Sequence, residues 1–286
     1  MLTSSTSSQV GAAMGAHAFP TIGPAGVVAV RQFVAAAVLV PAARPPLRRM
    51  TWPQWWPVLL LALVFATMNL SLYVAIDRLG LGLAITLEFL GPLSVALLGS
   101  RGRRDLLLAL AAAVGVYVLV LPSPSSDWVG VGLALVAGVC WAAYILLQRV
   151  VGGRLPGLQA PAAATSVSAL VYLPLFVSLV VSGRMTAAAL GYSVAAGVGS
   201  SLIPYVADIT ALRRVPPRLF GVFMSVNPVL AALAGWVMLG QVLALHEWAG
   251  ILLVVTTNAV AVLLAHAEPS ADALADEPAF DAAVQT

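Results

Sequence analysis

Two charged residues stand inside runs that are otherwise apolar. Glu88 lies in ITLEFLGPL, and a carboxylate at the centre of a bilayer costs about 2.5–3.5 kcal/mol on insertion scales. A cation, a polar cavity or a bound proton has to offset that. Arg31 lies inside the run Pro24 to Val40. It is a counter-charge for Glu88, a counter-charge for a substrate carboxylate, or a long side chain that snorkels to an interface. Its position alone leaves all three open. Asn69 and Tyr73 are four apart and therefore share one face of a helix. They add an amide and a hydroxyl to whatever that face lines. Tyr205 and Asp208 stand similarly just beyond Pro204, although Asp208 can also pair with Arg213 at a membrane boundary. Trp141, Tyr144 and Gln148 follow helical spacing and can stack on a ligand, pack between helices, or belong to an interfacial aromatic belt. His17 and Asn227 are lone polar residues that neighbouring helices can satisfy.

The elements that must carry these residues are membrane helices. Of the 286 residues, 61% are hydrophobic and 9% charged, against about 25% charged in a soluble domain. A run of about 20 apolar residues crosses a bilayer once. Ten candidate spans follow: Leu2 to Phe19, Pro24 to Val40, Trp55 to Ile76, Leu79 to Leu98, Leu106 to Leu121, Trp128 to Leu147, Leu158 to Val181, Thr186 to Ala211, Leu219 to Leu239 and Leu243 to Ala265. The first opens on Thr3, Ser4, Ser5, Thr6, Ser7, Ser8 and Gln9. Either this polar half faces the bundle interior or the span is truncated. No signal-peptide pattern precedes it, so the segment is expected to stay in the mature protein.

All fourteen basic residues are arginine, which excludes Schiff-base chemistry on lysine. Short cytoplasmic loops hold an excess of basic residues. With the N-terminus inside, Arg44, Arg48, Arg49, Arg101, Arg103, Arg104, Arg149, Arg154, Arg213, Arg214 and Arg218 fall on the cytoplasmic side, against Arg78 and Arg184 outside. That asymmetry supports both the orientation and the even number of crossings. Cys140 has no partner in the chain, which rules out an intramolecular disulfide or a multi-cysteine metal site. Walker, HExxH and CxxC patterns are absent, so no cofactor or metal is expected and ATP-driven transport by this chain alone is not. No paired catalytic carboxylates or Ser/His/Asp set can be placed, so an enzyme is not expected.

A constant offset of 136 residues pairs Arg78 with Arg214, Pro92 with Pro228, Ala96 with Ala232 and Gly99 with Gly235. The chain then reads as an all-α membrane protein of ten transmembrane helices in two inverted five-helix repeats, residues 1–121 and 128–266. A disordered acidic cytoplasmic tail is expected over 267–286. Inverted repeats put substrate sites near the midplane, beside interrupted helices. Pro92 and Pro228 each remove a backbone donor, and their matched depth points to a role in gating. The spacing of Gly11 and Gly15 in GAAMG is that of closely packed helices.

The segments LGLAITLEFLGPLSVALLGSR, ALRRVPPRLFGVFMSVNPVLAALAGWVMLGQ and QVGAAMGAHAFPTIGPAGVVAVRQ resemble the threonine and homoserine exporter branch of the drug/metabolite transporter superfamily. The resemblance runs over nearly the whole chain, as far as Ala265. It implies two inverted EamA-type halves in the bacterial inner membrane, and places Glu88 in the branch's signature fourth-helix motif. Two departures are the short first helix and Asp208, where relatives are expected to carry glutamate. The expected activity is export of small amino acids or related metabolites by alternating access, with proton exchange as driver. The partners expected are a small-molecule substrate and the lipid bilayer, with no nucleic acid; a homodimer is compatible with both. Alternatives are a transporter of drugs or other metabolites, or a membrane receptor or scaffold, against which the lack of any long soluble loop argues.

Overall fold

The computed structural model describes residues 2–98, 103–121, 127–203 and 224–265, and all regular structure among them is helical. Tyr205, Asp208, Arg213, Arg214, Arg218 and the tail lie outside the described residues. In chain order the helices are α1 (Leu2–Ala16), α2 (Phe19–Ala43), α3 (Trp52–Leu79), α4 (Leu81–Glu88), α5 (Leu90–Leu98), α6 (Arg103–Val120), α7 (Trp128–Gly152), α8 (Gln159–Val181), α9 (Ala187–Gly197), α10 (Asn227–Leu239) and α11 (Leu245–Ala265). Each of the ten expected spans is represented, the fourth by two half-helices, α4 and α5. By length and composition, α2, α3, α7, α8 and α11 can each cross a membrane.

Local chemistry explains several of the boundaries. Thr51 starts α3, its N–H donating to Gln54 Oε1 at 3.0 Å, and Pro53 sits in the first turn where its missing donor costs nothing. Asp127 caps α7 by accepting from the Gly130 N–H at 2.9 Å. Thr186 Oγ1 does the same for the Ala189 N–H at 3.1 Å, starting α9. The first span is shorter than the apolar run suggested: α1 ends at Ala16, and His17 is exposed in a turn, stacked at 5.4 Å on Tyr192. His17 is therefore not inside a span. The second helix starts earlier than expected and bends at Gly23, whose φ of +71° is open to glycine at little cost.

The helix partners recur under exchange of the first five spans with the last five. α2 packs on α8, α4 on α10 and α6 on α11; each of these pairs maps onto itself. α3 against α7 maps onto α9 against α1, and the contact of α4 and α5 with α7 maps onto α10 with α1. The halves thus interleave around one axis rather than standing side by side, which is the arrangement expected of inverted repeats.

Both ends of the bundle are tied by arginines. At one end Arg78 Nε pairs with Asp127 Oδ2 at 2.9 Å, and Arg184 donates twice to the Thr21 carbonyl, at 3.2 and 2.9 Å. The Gly130 N–H, and after it the Arg78 guanidinium, hold the Asp127 carboxyl below its usual range. At the other end Arg154 donates to the Pro53 carbonyl at 2.6 Å and lies over the Trp56 ring. Exposed ion pairs contribute little because water screens them and both side chains lose freedom. Arg78→Ala is accordingly expected to leave the melting temperature in detergent close to that of the wild type, as read by a fluorescence melt.

Candidate functional site

The fourth span breaks where its chemistry sits. Pro92 has no N–H, so the Glu88 carbonyl loses its usual helical donor. The chain turns at Phe89, and α5 begins at Leu90. The 136-residue offset carries this break onto the ninth span: Ser225 and Val226 form a turn, α10 starts at Asn227, and Pro228 stands in its first turn. Met224 is then the counterpart of Glu88, and Asn227 that of Gly91. The two prolines therefore mark equivalent helix breaks, and the broken helices α4 and α10 pack on each other.

A cavity of about 390 Å³ lies between these breaks, with Glu88 and Met224 both in its wall. Arg31, Asn69, Tyr73, Glu88, Trp141 and Tyr144, spread over 114 positions of sequence, all line it. Gln148 does not. The lining runs from mid-depth to the end of the bundle where α1 and α8 begin and α2 ends, through Ser4, Leu39 and Pro161. Toward the opposite end the interior is closed by packed side chains, including Phe19, Ile76, Leu81 and Leu179. There Gln241 Oε1 accepts the Leu81 N–H at 2.9 Å, capping α4 from the loop before α11.

The side chains are held from outside the cavity. The Arg31 guanidinium lies over the Tyr73 ring, 4.7 Å from its centroid, and Phe19 meets that ring edge-on at 5.9 Å. Trp141 packs edge-to-face on Phe89 at 4.8 Å, so α7 reads the helix break directly. Tyr144 leans on Phe65 at 5.4 Å. Asn69 donates to the Phe65 carbonyl of its own helix at 2.8 Å, which leaves its oxygen for the cavity.

Glu88 is 4% exposed. Arg31 is the cation whose field reaches it, yet no ion pair joins them; among the described residues the one ion pair is Arg78 with Asp127. Of the three readings that the sequence left open for Arg31, direct pairing with Glu88 is absent; its Nε is buried without a partner, the side chain as a whole is half-buried, and the other two readings stay open. A half-buried cation and a buried acid thus share one cavity, and among the described residues neither has an ion-pair partner. Each unsatisfied buried polar group costs about 1–3 kcal/mol, more if charged, so the arrangement is costly unless something binds between the two.

One face of the polar opening of α1 turns to the interior, in line with the first of the two readings that its sequence allowed, while Thr3 and Thr6 are exposed. Ser4, Ser5 and Gln9 are buried. Ser7 Oγ donates to the Gly199 carbonyl and Ser200 Oγ to the Ser8 carbonyl, each at 2.9 Å. Their partners belong to a single π turn, Val198–Leu202, that continues α9; such turns recur at functional sites. The GAAMG spacing works here as a packing surface: a Cβ on Gly11 would come within 2.7 Å of the Ser200 nitrogen. Gln9 donates weakly to Asn227 at 3.5 Å.

Several lining residues were missed from sequence: Gln32, Thr165, Ser200, Ser201 and Met224. Met224 was one step away, since the repeat offset applied to Glu88 lands on it. Gln32, beside Arg31, and the serines carried only the signal of polarity inside an apolar run.

Ten helical spans with an interleaved inverted repeat, broken helices and, between them, a cavity that holds Glu88 and Arg31 define a multi-pass membrane transporter. The model of the EamA-like transporter family matches residues 128–263. Threonine/homoserine exporter RhtA of Salmonella typhimurium is 33% identical over 246 residues, 85% of this chain and 83% of its own length. Its Escherichia coli K12 counterpart is 32% identical over the same shares. Uncharacterized transporter YwfM of Bacillus subtilis is 26% identical over 69% of this chain and 70% of its own. A protein crystal structure at 21% identity superposes with a TM-score of 0.58, covering 93% of this chain and 98% of that one, and shows the same fold. This chain belongs to the EamA-like transporter family, in the branch that contains the threonine/homoserine exporters.

Proposed function

We propose that this chain exports small amino acids of the threonine and homoserine type across a bacterial inner membrane, by alternating access in exchange for protons. The observation that carries this reading is the buried Glu88 and the half-buried Arg31, opposite charges in a single cavity with no ion pair to either among the described residues. A zwitterion fits such a pair. Its carboxylate answers Arg31, and its ammonium competes with a proton for Glu88. One carboxylate that holds either the substrate or a proton links the two movements. The names of the relatives support the substrate class. So does the volume of about 390 Å³, near the lower end of the range of roughly 300–1,000 Å³ for ligand pockets, which suits a small metabolite better than a bulky drug.

In this reading the N- and C-termini are cytoplasmic, which the arginine distribution supports, and the cavity belongs to the cytoplasm-facing state. Residues 1–121 and 128–266 form the two halves that rock against each other. The breaks at Pro92 and Pro228 are the points where the fourth and ninth spans bend. Asn69, Tyr73, Trp141 and Tyr144 line the substrate; Tyr205 and Asp208, outside the described residues, are assigned to the cytoplasmic half of the same path. Opening the far end requires Gln241 to release Leu81.

The test is reconstitution into liposomes loaded with labelled threonine, homoserine or a cationic dye. Saturable efflux of threonine and homoserine that speeds up when the outside is acidified is the expected result. Efflux of dye without amino-acid efflux would overturn the assignment, as would tight binding of a protein partner with no flux at all.

A further inference from the structure

Three hydrogen-bond donors in this cavity have nothing to donate to. Arg31 Nε, Gln32 Nε2 and Tyr73 Oη are buried without a partner, and all three side chains line the cavity. Gln32 and Tyr73 are only 6% and 1% exposed. Arg31 and Gln32 are neighbours on α2; Tyr73, on α3, supports the guanidinium on its ring face at 4.7 Å. That contact holds the guanidinium over the ring while its Nε has no acceptor, and a guanidinium fork suits a planar two-oxygen acceptor. No acid of α2 or α3 occupies the place: α2 has none, and Asp77 of α3 is exposed near the end of its helix. Glu88, on α4, makes no ion pair with the group.

We infer that Arg31, Gln32 and Tyr73 form a carboxylate seat, and that it makes a free α-carboxylate an obligatory feature of the substrate. The inference rests on the amino-acid reading proposed above and adds the group that decides selectivity. A carboxylate offers only acceptors to three donors. A carboxamide brings an NH2 of its own against them, and an ester offers one good acceptor and a bulky alkyl group. Both replacements leave a donor unpaired and a cation uncompensated, the situation in which a polar site rejects an analogue most strongly. The seat therefore separates amino acids from amides and esters that share the same ammonium and hydroxyl.

The experiment is threonine counterflow in proteoliposomes, with labelled threonine outside and unlabelled threonine inside, competed by threonine, threoninamide or threonine methyl ester. In the wild type threoninamide and the ester are expected to compete more than about tenfold less well than threonine. Gln32→Leu and Tyr73→Phe each remove one donor and should narrow that ratio. Arg31→Lys should narrow it further, because an ammonium cannot reproduce the planar fork. The ratio is the readout, since a variant that is merely damaged slows every substrate alike. Equal competition by threonine and threoninamide in a wild-type protein that transports threonine would overturn the seat and leave the transport reading standing, as would variants that keep the wild-type ratio. Absence of any amino-acid flux in the wild type would overturn both.

Discussion

Glu88→Gln should abolish proton-driven accumulation while leaving a folded carrier. In wild-type proteoliposomes whose interior is one pH unit more acidic than the outside, protons leave and threonine enters against its gradient. Each proton exchanged per substrate contributes about 1.4 kcal/mol per pH unit, about a tenfold concentration ratio. Glutamine keeps the shape and most of the hydrogen-bonding capacity of the side chain at 88 but neither takes up nor releases a proton. The variant should therefore dissipate a threonine gradient without building one, and its flux should ignore the pH difference. Glu88→Asp, which keeps a titratable group on a shorter stem, should retain part of the accumulation. A Glu88→Gln protein that accumulates threonine like the wild type would remove Glu88 from coupling altogether. The residue is buried at a helix break, in a cavity that also holds a cation with which it forms no ion pair, so no ion pair among the described residues explains its presence.

The second large effect is expected at the contact of the broken span with α7. A Cβ built on Gly91 would overlap the Gly138 carbonyl oxygen, and one built on Gly138 would lie 3.0 Å from the Glu88 carbonyl oxygen. The obstacle is backbone in both cases, so no side-chain rotation relieves it. Gly91→Ala has to push α5 from α7 and shift the break that carries Glu88. Overpacking of this kind costs about 1–3 kcal/mol. A lower melting temperature in detergent and loss of threonine flux are the expected outcomes, with Gly91→Leu worse. Gly132→Ala is the control, because on the same helix α7 a Cβ at Gly132 meets nothing within 4 Å. If Gly91→Ala melts and transports like Gly132→Ala, the close approach does not hold the break in place.

The two predictions differ in how far sequence alone supports them. Glu88 is conspicuous in a one-dimensional reading because a charge in a run of apolar residues has no local explanation. Gly91 and Gly138 are not, because this chain has 24 glycines and nothing local says which of them meets another backbone. The same contrast separates Arg31 from Gln32. The charge on Arg31 demands a reason wherever it sits in a membrane, whereas Gln32 acquires one only once α2 and α3 enclose it with Tyr73.

Hydropathy, arginine spacing and the 136-residue repeat, by themselves, determined that this protein is a ten-span helical membrane protein with an inverted internal repeat and a charged fourth span. Those features follow from the bilayer, which imposes the length of each span and the cost of each charge residue by residue. Tertiary structure decided what the spans do to one another. It set the polar face of α1 against the π turn of α9 and brought residues 31, 73, 88, 141 and 224 to one cavity. It kept Arg31 and Glu88 from pairing, and it left Gln32 and Tyr73 without acceptors. Helix rotation and crossing are set by interdigitated small residues and by single backbone contacts such as Gly91 with Gly138, and these depend on pairs of residues far apart in the chain.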